Sequence, residues 1–137
     1  MGKDGLKPIL RKTTMGADMP TGYLTTHVLD TAIGRPAAGM KVELYRIDRG
    51  HWQHVVTATT NADGRTDGPI LPSEAFLTGQ YELLFYAGDY LHKFRPPADG
   101  PRFLDQIPIR FGISDRNQHY HVPLLLTPFS YSTYRGN

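Results

Sequence analysis

The chain has 137 residues, 39% of them apolar and 20% charged, which is enough for one domain with its own core and too few for two. Fifteen basic residues against thirteen acidic ones leave a formal charge of +2 with no basic run, so a nucleic-acid surface is not expected. With no cysteine, disulfides and thiolate chemistry are excluded.

No apolar run approaches a membrane span of about 18 residues. Lys3, Lys7, Arg11 and Lys12 near the start are not followed by the apolar stretch that a secretory signal needs, so a cytoplasmic protein is expected. Residues 1–22 mix Gly, Pro and Lys without lasting periodicity, and a flexible extension is expected there. The domain is expected over 23–137.

From Tyr23 the pattern changes. "YLTTHVLD" is rich in β-branched and aromatic residues and ends at Asp30. Period two puts Leu24, Thr26 and Val28 on one face of that strand and Thr25, His27 and Leu29 on the other. "TAIGRPAAG" is a turn-rich connection. "MKVELYRI" alternates, with Met40, Val42 and Leu44 facing inward, and "DRG" turns the chain into the next strand, "HWQHVVTATT". "NADGRTDG" is a loop punctuated by Asp-Gly. "SEAF" suits a single helical turn capped by Ser73. "QYELLFYA" is a strand. "GDYLHKF" suits a short helix with Asp89 near its start, ending before Pro96 and Pro97. "FLDQIPIRFGI", "YHVPLLL" and "FSYSTYR" are three more strands. Pro108 and Pro123 inside them argue for edge positions or strand starts.

Seven or more short strands with one helix predict an all-β sandwich. Its last strand carries Phe129, Tyr131 and Tyr134 with hardly any charge. An edge of that kind is normally covered, so association of subunits is expected.

Six histidines are present, at 27, 51, 54, 92, 119 and 121. Two His at i, i+2, such as His119 and His121, share a strand face and are a weak zinc signal; His51, His54 and His92 read as surface residues. His27, a titratable ring in mid-strand, is a candidate functional group, against the plain reading of a solvated strand face. Arg65, in a loop built to turn, is suited to binding an anion or carbonyl, although a loop arginine is ordinarily only solvated. No serine elbow, phosphate-binding glycine loop or metalloprotease motif occurs. Composition and spacing leave an acid–base site and a binding module both open.

"HYHVPLLLTPFSYSTYRG" resembles the C-terminal signature of the transthyretin-related 5-hydroxyisourate hydrolases. "LTTHVLD", "GRPAAGMKVELYR", "TNADGRTDGPIL" and "PIRFGI" resemble the same family in the same order, so the likeness covers residues 23–136. The resemblance implies a transthyretin-like β-sandwich of two four-stranded sheets with one short helix, assembled as a homotetramer with sites at a subunit interface. It implies hydrolysis of 5-hydroxyisourate, with no metal and no cofactor. By motif, it implies that His27, Arg65 and His121 are the catalytic residues and that Tyr134, Arg135 and Gly136 line the substrate pocket. A non-catalytic carrier of small aromatic ligands is the alternative, and the joint presence of His27, Arg65 and His121 argues against it. One departure stands out: the family's closing Tyr-Arg-Gly-Ser reads Tyr-Arg-Gly-Asn here, ending in Asn137.

Overall fold

A computed structural model of the chain describes residues 19–97 and 99–137. The expected extension lies, for residues 1–18, outside the described residues. Hydrogen bonding to the domain is in place at Thr21, whose backbone N–H donates to Asn117 Oδ1 at 3.3 Å, and at Gly22, whose N–H donates to the Arg116 carbonyl at 2.9 Å.

The architecture is a β-sandwich. One sheet holds β4 (Lys41–Asp48), β5 (His51–Thr59), β6 (Gly79–Tyr86) and β7 (Gln106–Ile113) in the antiparallel order β5-β4-β6-β7. The other holds β2 (Val28–Asp30), β3 (Arg35–Pro36), β9 (Leu124–Leu126) and β10 (Tyr131–Ser132) in the order β10-β9-β2-β3. A parallel pair, β1 (Tyr23–Thr25) and β8 (His119–His121), prolongs this second sheet. The junction is made by Val122 N–H to the Thr25 carbonyl at 3.0 Å and Leu124 N–H to the His27 carbonyl at 2.9 Å.

Period-two burial produces the core. Leu24 and Val28 from the second sheet meet Val42, Leu44, Leu83 and Phe85 from the first, all fully buried. Thr26 is buried on the same face and gives its hydroxyl to the Val122 carbonyl at 2.8 Å. Helix α1 (Ala87–His92) closes one end, where the Tyr90 hydroxyl donates to the buried Asp30 carboxylate at 2.9 Å. Pro108 sits in β7, an edge strand, as expected of a residue with no N–H to give the ladder.

Three details differ from the sequence expectation. Ser73 does not cap the 3₁₀ turn Ser73–Ala75; Pro72 is its N-cap, and the Ser73 hydroxyl instead donates to the Gly22 carbonyl at 2.8 Å. The strand over "FSYSTYR" shortens to Tyr131–Ser132, because Thr127 and Ser130 hydrogen-bond each other in a tight turn and Thr133 gives its hydroxyl to the Pro123 carbonyl at 2.7 Å. Pro123 falls between β8 and β9 rather than inside a strand.

Candidate active site

The outward face of the β1–β2 segment carries Thr25 and His27, as alternation requires. Parallel pairing sets Tyr23 beside His119 and Thr25 beside His121. An isolated bridge sets His27 beside Arg65, and another sets His121 beside Gly136. Four separate parts of the chain thus converge on one surface.

The Arg65 loop is held by Asn61. Its Oδ1 accepts the N–H groups of Asp63 at 2.9 Å and Arg65 at 3.2 Å, an Asx turn. Gly64 follows at φ +75°, packed so tightly that an added Cβ would run into the Val28 carbonyl oxygen. The loop therefore lies flat against β2. The Asp63 carbonyl then reaches His27 Nε2 at 2.9 Å. A carbonyl only accepts, so that nitrogen carries the proton, and Nδ1 holds the lone pair when the ring is neutral.

At the other side, Gly136 N–H donates to the His121 carbonyl at 2.7 Å and His121 N–H to the Gly136 carbonyl at 3.2 Å. His121 Nδ1 lies 2.7 Å from the Thr25 hydroxyl, which also lies 2.7 Å from His119 Nε2. His119 stacks on Tyr23 with ring centroids 4.2 Å apart. An open cavity of about 530 Å³ results, lined by Tyr23, Thr25, Arg65, His119, His121 and Asn137 among others.

Burial, and then the Arg65 guanidinium, hold His27 below the ordinary imidazole value, against the opposing pull of Asp63. Burial, then Arg65, His119 and His27, depress His121. Burial and Arg135 depress His119. All three rings are therefore neutral near pH 7, the state in which an imidazole accepts a proton. The exposed Arg65 side chain has no ion pair or hydrogen bond within the chain among the described residues, which leaves its fork of donors for a ligand.

Not every expected residue meets there. His27, Arg65 and His121 come together. Gly136 joins them through its backbone. Arg135 turns aside: its guanidinium lies 4.0 Å over the Tyr120 ring and donates to Gln118 Oε1 at 2.8 Å and the His119 carbonyl at 3.3 Å. Tyr134 is 58% exposed and lines a different cavity, of about 260 Å³, beside Ile109 and Phe111. Two further groups enter instead, Thr25, to which the sequence reading gave no role, and His119, which it weighed only as a weak zinc signal. Their signal was their period-two position on the same outward faces as His27 and His121. Among the described residues, no three His, Asp or Glu side chains are placed to hold a metal ion.

Comparison with known proteins reports the same relationship. The HIUase/Transthyretin family profile matches residues 24–136. The 5-hydroxyisourate hydrolase 2 of Rhizobium meliloti (strain 1021) is 55% identical over 118 residues, covering 85% of this chain and 98% of that one. The structure of Klebsiella pneumoniae 5-hydroxyisourate hydrolase is similar with a TM-score of 0.68 at 30% identity, covering 87% of this chain and 96% of that chain. Sea bream transthyretin, solved in complex with thyroxine, is similar with a TM-score of 0.72 at 25% identity, covering 82% of this chain and 93% of that chain. A profile match over nearly the whole described domain, a close relative of full length and two structures of the same sandwich lead to one conclusion: the chain belongs to the HIUase/transthyretin family.

Proposed function

We propose that this chain hydrolyses 5-hydroxyisourate to 2-oxo-4-hydroxy-4-carboxy-5-ureidoimidazoline. One observation carries the reading. His27, Arg65 and His121 are drawn from separate segments to one surface, with Arg65 and His121 lining an open cavity; the imidazoles are neutral, and among the described residues the guanidinium has no hydrogen-bond or ion-pair partner. Opening the ring of a flat, polar heterocycle needs a base for the attacking water and a donor for the developing oxyanion. His27 and His121 supply imidazole nitrogens near neutrality. For His27 the basic nitrogen is Nδ1, since Nε2–H is given to the Asp63 carbonyl. Arg65 holds the substrate's oxygens and then the carboxylate of the product. Gly136 borders the site through its backbone bridge to His121. The reading includes an assembly of four chains with the site at a subunit interface, where Tyr134 and Arg135 would serve a cavity completed by a neighbour. It also includes a cytoplasmic location. Among the described residues, no helix is long and apolar enough to cross a membrane.

The test generates 5-hydroxyisourate fresh from urate and follows its ultraviolet decay against the spontaneous rate. The chain should accelerate the decay, and His121→Asn should remove about two to four orders of magnitude of that acceleration. A folded chain that binds small aromatic ligands without accelerating decay would be a carrier, and the proposal would fall.

A further inference from the structure

Thr25 and His119 stand on the cavity wall without a part in the water attack described above. Thr25 Oγ1 is 2.7 Å from His119 Nε2 and 2.7 Å from His121 Nδ1. A hydroxyl has one proton and can give it to one nitrogen only; the other nitrogen must bring its own proton to the oxygen. Two arrangements satisfy both contacts. In the first, Thr25 donates to His121 Nδ1 and His119 Nε2–H donates to Thr25. Neutral His121 then carries its proton on Nε2 and acts there as a donor. In the second, Thr25 donates to His119 Nε2 and His121 Nδ1–H donates to Thr25. His121 Nε2 is then a bare lone pair, a base. Among the described residues no hydrogen bond occupies His121 Nε2.

We infer that Thr25 and His119 are positioning residues for His121: the threonine hydroxyl couples the two rings, sets which nitrogen of His121 is protonated, and passes a proton between them. The inference rests on the hydrolase reading. In the base form, His121 Nε2 takes a proton from the attacking water. The Nδ1 proton moves to Thr25 Oγ1, and the Thr25 proton moves to His119 Nε2. Only N–H and O–H bonds exchange. His121 returns to neutral with its proton on Nε2, ready for the departing ring nitrogen, and the positive charge rests on His119.

The surroundings favour that transfer. Arg65, His27 and His119 itself face His121, so a charge left on His121 would sit beside Arg65. Arg135 faces His119, but the Tyr23 ring is stacked against it at an interplanar angle of 12°. An aromatic face attracts an imidazolium, and it holds the ring plane so that Nε2 stays in line with Thr25. Asn137 lines the same cavity with an uncharged side chain. The register Tyr23–His119 and Thr25–His121 in the parallel β1–β8 pair fixes all four groups at once.

Long-range ¹H–¹⁵N correlation spectra of the full chain, recorded through a pH titration, test this directly. The ring nitrogens of His119 and His121 should each report both titration steps, as a coupled pair does. In Thr25→Val, which keeps the side chain's shape without its hydroxyl, charge repulsion between the rings remains but the link between their tautomers should be lost, and Thr25→Ser should restore it. Independent titration in the unmutated chain, or paired tautomers that survive in Thr25→Val, would overturn the inference. In turnover of fresh 5-hydroxyisourate, Thr25→Val should lower kcat about tenfold to a hundredfold with KM within about twofold, and Thr25→Ser should recover most of it. Unchanged kcat in Thr25→Val would overturn the proton transfer. A chain inert towards 5-hydroxyisourate would refute the hydrolase reading instead, while the titration would still decide the coupling.

Discussion

Among the described residues the Arg65 guanidinium has no hydrogen-bond or ion-pair partner, and its charge lowers the proton affinity of both His27 and His121. In the proposed reaction it would have two jobs: holding ligand oxygens and keeping the imidazoles neutral. Lysine would retain the charge but not the planar fork. Arg65→Lys should therefore cut kcat/KM by about a hundredfold to a thousandfold, the range seen when one oxyanion donor is removed. Rates on fresh 5-hydroxyisourate check this, and a variant as fast as the parent would remove Arg65 from the site. The imidazoles also tie stability to pH. A histidine whose folded pKa lies below its unfolded value binds more protons in the unfolded chain, so stability rises with pH in that window. His27, His119 and His121 are all shifted downward. Stability should therefore fall as the pH drops through the unfolded value of about 6.5 and on through the folded values. Urea midpoints measured across that interval should decline, and they should decline less in His121→Gln; equal slopes in the two proteins would refute the assignment.

Elements, rather than single residues, hold these groups in place. β1 and β2 bury Leu24, Thr26 and Val28 and so turn Thr25 and His27 outward; a one-residue slip would exchange the faces. β8 is held between β1 and the tail, and the tail approaches closely. A Cβ on Gly136 would lie 3.1 Å from His121 Cδ2 and 3.3 Å from its Cβ, tight enough to press the ring away by a few tenths of an ångström. Placement errors approaching an ångström cost about a hundredfold in rate, so Gly136→Ala should lower kcat by about tenfold. Its melting temperature should change little, since the ring can give way into the open cavity. Unchanged kcat would show that the tail does not govern the position of His121.

At the scale of the whole molecule, the exposed aromatics are the open account. Phe103 and Phe129 are 74% and 75% exposed with ring centroids 6.1 Å apart, and Tyr131 on edge strand β10 is 44% exposed. An uncharged aromatic edge invites pairing with a second copy. Sedimentation equilibrium should find an assembly of four 15.4 kDa chains, and Tyr131→Glu should dissociate it and reduce turnover together. A fully active single chain would place the complete site within one subunit.

Alternation along "YLTTHVLD" and "MKVELYRI" was enough to tell which residues face the core, because side-chain direction in a strand is a local property with period two. The Asp-Gly turn before Arg65 was legible for the same reason, since a backbone with positive φ selects its residue on the spot. The resemblance of separated blocks singled out His27, Arg65 and His121. It did not tell that His119 would share a hydroxyl with His121, nor that Arg135 would spend its guanidinium on Tyr120 and Gln118. Those outcomes depend on β1 pairing in parallel with β8, between residues 96 positions apart, and on which way a long side chain turns once its neighbours are in place. Local chemistry writes the faces and the turns; only closure of the sandwich decides which distant faces meet.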